Sequence, residues 1–249
     1  MSFITGIATT SENDLYTSTA SPAAGFYPGQ MVWDGKTGKA FRYSLVGGST
    51  LVMGNLLQAS AQNTTYENMA IGVAGAVNDT FLSVTNGTAT ITSAQFVGGS
   101  ISVYTAGTVA VGDEYTILGV TGTLTTGGAL TVAVDRPLRY AFTTSATVNM
   151  KRSPWSGVIQ FPVTTQTEMP VGVAIYAATN AQFAWVQTHG PCAVLSDNST
   201  FAVGSMLSPS LAVAGAVGVN VAGTTHGTVG WARQAAASAK GIACFLMID

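Results

Sequence analysis

Short β-prone runs broken at near-regular intervals by glycine dipeptides constrain this chain most. "ISVYT" (101–105), "LTVAV" (130–134), "FAWVQT" (183–188) and "CAVL" (192–195) are four to six residues long and rich in β-branched or aromatic side chains. Between such runs stand Asp34-Gly35, Gly47-Gly48, Asn86-Gly87, Gly98-Gly99 and Gly127-Gly128. Strands this short, joined by turns of this kind, predict an all-β fold of sandwich or barrel-like units with very little helix. Helical periodicity is nearly absent. "WARQAAASAK" (231–240) and "YENMA" (66–70) are the stretches that could form short helices.

"MVWDGKTGKAFRYSLVGG" (31–48) is the clearest local unit. Met31 to Trp33 lead into Asp34-Gly35, and Phe41 to Tyr43 return, which predicts a β-hairpin with a solvated centre from Asp34 to Ala40. "KRSPWSG" (151–157) gathers charge, Pro and Gly and reads as a connector. The 249 residues therefore divide into an N-terminal hairpin or arm region (1–60), a first β unit (61–165) and a second (166–249). A faint repeat relates the two units. "MAIGVA" (69–74) matches "MPVGVA" (169–174), "FVGGSI" (96–101) matches "FAVGSM" (201–206), and "AGTV" (106–109) matches "AGAV" (214–217).

Charge narrows the function. Charged residues make up 8% of the chain, against roughly 25% in an average soluble domain, and Asn198 to Ala232 carry none. A surface so poor in charge is weakly protected against association, which predicts that much of it is covered by other subunits. The net charge of −2 supplies no basic patch for nucleic acid. No run of about 20 apolar residues predicts a membrane span. The start "MSFITGIATTSEND" lacks the pattern of a signal peptide.

Catalytic constellations are sparse. "FAWVQTHGPCAVLSD" (183–197) sets Trp185, His189, Cys192 and Asp197 close in sequence. Phe183, Trp185 and Gln187 face one way and Ala184, Val186 and Thr188 the other, as in a strand covered on both faces. His189 is expected to begin a turn, with Gly190-Pro191 ending the strand. As a base it would need an orienting carboxylate, for which Asp197 stands available across the returning strand. Asp113 and Glu114 are adjacent and so point to opposite faces of a strand, which spoils a paired acid and base. Asp135 with Asp113 is the remaining carboxylate combination. Cys192 and Cys244 lie in apolar runs without ligand spacing and read as buried free thiols. His189 and His226 are the two histidines. No catalytic, cofactor-binding or metal-binding residue is expected, and no cofactor.

The same stretches carry a family resemblance. "GQMVWDGKTGKAFRYSLVGGSTLVMGNLLQAS", "GDEYTILG" with "GGALTVAVDRPL", "GVAIYAATNAQFAWVQTHGPCAVL" and "VGWARQA" with "FLMI" resemble segments of structural proteins from tailed bacteriophage virions. That resemblance implies a non-enzymatic capsid decoration (cement) protein. Such a protein would be made in the host cytoplasm and bind the outside of the phage head. It would stabilise the shell, with the major capsid protein and its own copies, as a homotrimer, for partners. A tail or head-fibre protein contacting the host surface is the alternative. A carbohydrate-active β protein, the third class, should show exposed aromatics near carboxylates.

Overall fold

The structure, a computed structural model, describes residues 12–23, 25–87, 90–92, 94–105, 111–163, 166–220, 227–236 and 240–249. It is nearly all β, with 46% strand and 3% helix. The early strands are β1 (Ser18–Thr19), β2 (Met31–Asp34), β3 (Lys39–Val46) and β4 (Leu56–Gln58). Next come β5 (Met69–Val73), β6 (Phe81–Thr85), β7 (Ser100–Thr105), β8 (Glu114–Gly122), β9 (Ala129–Val134) and β10 (Thr147–Lys151). Last are β11 (Ser156–Gln160), β12 (Pro170–Ala174), β13 (Phe183–Leu195), β14 (Met206–Pro209), β15 (Val217–Val219), β16 (Gly230–Ala232) and β17 (Gly241–Met247). Among the described residues the helical elements are two short 3₁₀ turns, Glu12–Tyr16 and Thr64–Tyr66. Neither suggested helix forms there: "YENMA" runs from the second of these turns into β5, and "WARQAAASAK" starts in β16, with 237–239 outside the described residues.

The chain divides into two compact units, Gln62–Ser153 and the remainder, Met1–Ala61 with Pro154–Asp249. This differs from three consecutive pieces bounded at 60 and 165. The N-terminal region is no separate arm: β3 pairs with β13, and β4 lies between β11 and β12. The connector 151–157 does mark the crossing between units.

Gln62–Ser153 is a closed antiparallel barrel in the order β10-β5-β6-β9-β8-β7. Alternation drives its closure, since Leu130, Val132 and Val134 of β9 point inward and are buried. On β8, Tyr115 and Ile117 point inward, then a bulge before Gly119 resets the phase so that Val120 does too.

The other unit contains two five-stranded rings that share β13. In the first, β3, β13, β12, β4 and β11 pair in a circle, with β11 parallel to β3. In the second, β13, β17, β16, β14 and β15 pair likewise, closed by the parallel bridge Ser196–Val217. The rings match residue for residue. Leu45 faces Phe183 as Leu195 faces Gly241, and Val173 faces Gln187 as Trp231 faces Phe245. Leu51 bridges Ala178 as Phe201 bridges Ala236. The interiors correspond too. Leu51, Leu57, Val158, Val171, Ala174, Ala178, Ala184 and Val186 of the first core match Phe201, Leu207, Val217, Val229, Ala232, Ala236, Ile242 and Cys244 of the second.

This duplication is not the one suggested by matching letters. "MAIGVA" and "MPVGVA" do fall on strands, β5 and β12, but these belong to different barrels, and "AGTV" lies outside the described residues.

Candidate functional site

β13 runs unbroken through the Gly190-Pro191 step that was expected to end it, so His189 is a strand residue and not a turn residue. Two local features permit this. Gly190 adopts φ +85°, where a Cβ would sit 2.4 Å from the Gly38 carbonyl oxygen, so only glycine fits. Pro191 sits where strand alternation needs no N–H. Ser196 donates to the Lys240 carbonyl, which places Cys192 and Val194 among the residues bonded to β17 and turns Pro191 and Ala193 to the opposite edge.

His189 lies between Trp33 (5.6 Å between ring centroids) and Phe245 (5.3 Å). Its Nδ1 is 3.1 Å from the backbone oxygen of Asp249. The Asp249 carboxylate is held through both oxygens by Arg42, at 2.8 and 3.2 Å, and the guanidinium also stacks 4.5 Å over Trp155. Asp197 is not brought to His189: eight residues of nearly extended chain, roughly 26 Å, separate them. Asp197 is buried and accepts from Ser210 Oγ (2.7 Å) and from the Ser199 N–H (2.7 Å) and hydroxyl. It fastens the end of β13 and serves no base.

Asp113 is buried and Glu114 exposed, as adjacency in a strand requires. Burial pushes the Asp113 carboxyl up. Hydrogen bonds from Arg139 and Tyr115, with the charges of Arg139 and Arg136, outweigh it and hold the group below the usual carboxylate range. Burial and the same Asp113 contact push the Tyr115 hydroxyl up. Asp135 accepts from the Thr116 N–H (2.9 Å) and lies 3.7 Å from Arg136. These carboxylates are committed to arginines and backbone rather than to each other. Cys192 and Cys244 are free thiols directly opposite across β13 and β17. The neighbouring Cys244 thiol and burial both push the Cys192 thiol up, which keeps it protonated and unreactive. No group of three His, Cys, Asp or Glu suited to a metal occurs among the described residues. His226 lies outside them.

Two surface features remain in the double ring. One is a ridge of exposed apolar side chains across neighbouring strands. Met206 faces Trp231 and Trp231 faces Phe245; the Trp231 Nε1 donates to Met247 Sδ (3.0 Å), and His189 and Trp33 continue the line. Met31, Trp33, Met206, Trp231 and Met247 are all exposed. The other is an open cleft of about 880 Å³ along residues 191–195 of β13, walled by Met53, Gly54 and Ala243, with Lys39 and Arg233 as its charges. Sequence reasoning missed both. The ridge residues come from five separate strands, and only the strand pairing aligns them.

Comparison of the chain with family models, with curated proteins and with solved structures finds no match.

Proposed function

We propose that this chain is a non-enzymatic structural protein whose work is association: a decoration protein that binds the outside of a bacteriophage head as a homo-oligomer and stabilises the shell. The observation that carries this reading is the ridge of Met206, Trp231, Phe245, Met247, His189 and Trp33. Large apolar patches on a soluble surface mark sites of contact with other macromolecules. Aromatic residues and methionine are the types enriched at such contacts, while acidic residues and lysine are depleted. The 35 uncharged residues from Asn198 to Ala232 include Met206 and Trp231. The virion assignment itself rests on the sequence resemblance.

Binding only the assembled shell would stabilise it by mass action. The test compares the heat tolerance of heads with and without the protein, and with a Trp231→Asp variant. The expected result is that heads lacking it, or given the variant, release their contents at lower temperature. Equal tolerance in all three would remove the proposal, and a host-contacting fibre protein would take its place.

A further inference from the structure

We propose that β13 holds an acceptor groove for an added β-strand, and that the strand it takes is β2 of a second copy of this chain. The inference adds a surface and a donor to the self-association proposed above. It does not depend on the shell.

The duplication carries it. In the first ring the edge of β3 facing away from β13 is covered. The Tyr43 N–H donates to the Gln30 oxygen at 2.9 Å, the Gly29 N–H donates to the Tyr43 oxygen at 2.8 Å, and β2 continues along Phe41. The residue matching Tyr43 in the second ring is Ala193, since Tyr43 faces Trp185 as Ala193 faces Ala243. Strand alternation turns the Ala193 N–H and carbonyl away from β17, onto the same edge. Among the described residues no strand lies there. The chain that precedes this copy of the repeat is already built into the first half of β13, so it cannot fold back as β2 does. Among the described residues the second ring is therefore one strand short of the first.

The vacancy is shaped as a notch. At one end Gly190 packs on Gly38, and at the other the Leu195 N–H donates to the Gly54 oxygen at 2.8 Å. Between these ends four residues, Pro191 to Val194, line the open cleft. A four-residue strand spans such a gap, about 13 Å at the usual rise, and β2 is four residues long. β2 is also the terminal strand of its sheet. Alternation from the Tyr43–Gln30 bond points the Met31 and Trp33 backbone groups outward, and both side chains are exposed. Among the described residues no acidic side chain lines the cleft, whose charges are Lys39 and Arg233, and β2 brings Asp34. Strand addition to an open edge is a common mode of protein recognition, with main-chain bonds giving affinity and flanking pockets giving selection. Donor and acceptor are different patches, so the contact is head to tail, and it forms a trimer where the rotation between copies closes a ring of three.

The test uses the full chain. Sedimentation over a micromolar concentration series gives its mass, and hydrogen exchange gives the protection of the Ala193 amide. The expected result is a concentration-dependent oligomer, with Ala193 exchange slowing in step with it. Ala193→Pro removes an N–H that bonds nothing among the described residues, and should weaken association about tenfold, as loss of one well-formed hydrogen bond does. A chain that stays monomeric, or an Ala193 amide whose exchange ignores concentration, would overturn the inference. So would a folded Ala193→Pro variant that associates as tightly as the parent. A chain that associates through β13 yet leaves heads uncoated removes the shell reading alone. A chain that coats heads as a monomer removes this inference alone.

Discussion

Replacing Trp185 by alanine strikes the packing between the first ring and the segment that precedes it. Trp185 is 4% exposed, and its ring meets Phe26 edge-on at 5.2 Å and Tyr43 at 5.0 Å, with Leu15, Val32 and Phe41 in the same cluster. Cutting this side chain back to a methyl group forfeits about 150 Å² of buried apolar surface, or about 4 kcal/mol at 25 cal/mol per Å². Loss of the two ring pairs adds about 0.5–1.5 kcal/mol each, while area already buried in the unfolded chain and partial collapse of the cavity return about as much. The expected loss is about 3–5 kcal/mol, the range for large aromatics removed from cores. Urea unfolding followed by far-UV circular dichroism measures it. A parallel check keeps Trp185 as the single tryptophan and titrates iodide, beside a variant that keeps only the exposed Trp33. A loss under about 1 kcal/mol, or quenching of Trp185 as ready as that of Trp33, would refute the packing described for β13.

Three further outcomes are expected. Gly190→Ala should cost about 2–4 kcal/mol, because a Cβ there meets the Gly38 carbonyl and φ is +85°, and thermal melting would show it. Asp113→Asn should destabilise the Gln62–Ser153 barrel by about 1–3 kcal/mol, discounted because Arg139 is itself well exposed. Because the folded carboxyl titrates below its ordinary 3.8, its contribution is fully present above that pH and is lost as pH falls through the lower folded value; the variant's stability should lack that acid-side decline. Cys192 should alkylate at least about tenfold more slowly in the native chain at pH 8 than in urea, measured by mass spectrometry, since the neighbouring Cys244 thiol and burial keep it protonated.

Strand-level features were legible because they are local. The 31–48 hairpin, the two faces of "FAWVQT" and the opposed Asp113 and Glu114 follow from alternation and turn chemistry alone. The duplication of the rings was not legible, although Leu57 and Leu207, Val158 and Val217, Val171 and Val229 are identical at matched positions. Between matched residues the sequence separation is 150 before the inserted barrel, 59 in β11 and 58 from β12 on, so no single offset reveals them. At other interior positions only apolar character is kept, as when Ala184 is matched by Ile242 and Val186 by Cys244. The end of β13 was misjudged because Gly-Pro normally breaks a strand. Here a close approach to Gly38 demands the glycine, and an edge without a bonding partner tolerates the proline. The open edge at Ala193 has no sequence signature, since it consists of what the neighbouring chain does not cover.

The central claim, that this chain is a coat on a phage head, is tested most directly by a reconstruction of the intact particle at a resolution that traces β-strands. The predicted result is density for the double ring on the outer face of the head, with the ridge of Met206, Trp231 and Met247 against protein. Its absence from the head surface, or its presence only on fibres or the tail, would contradict it.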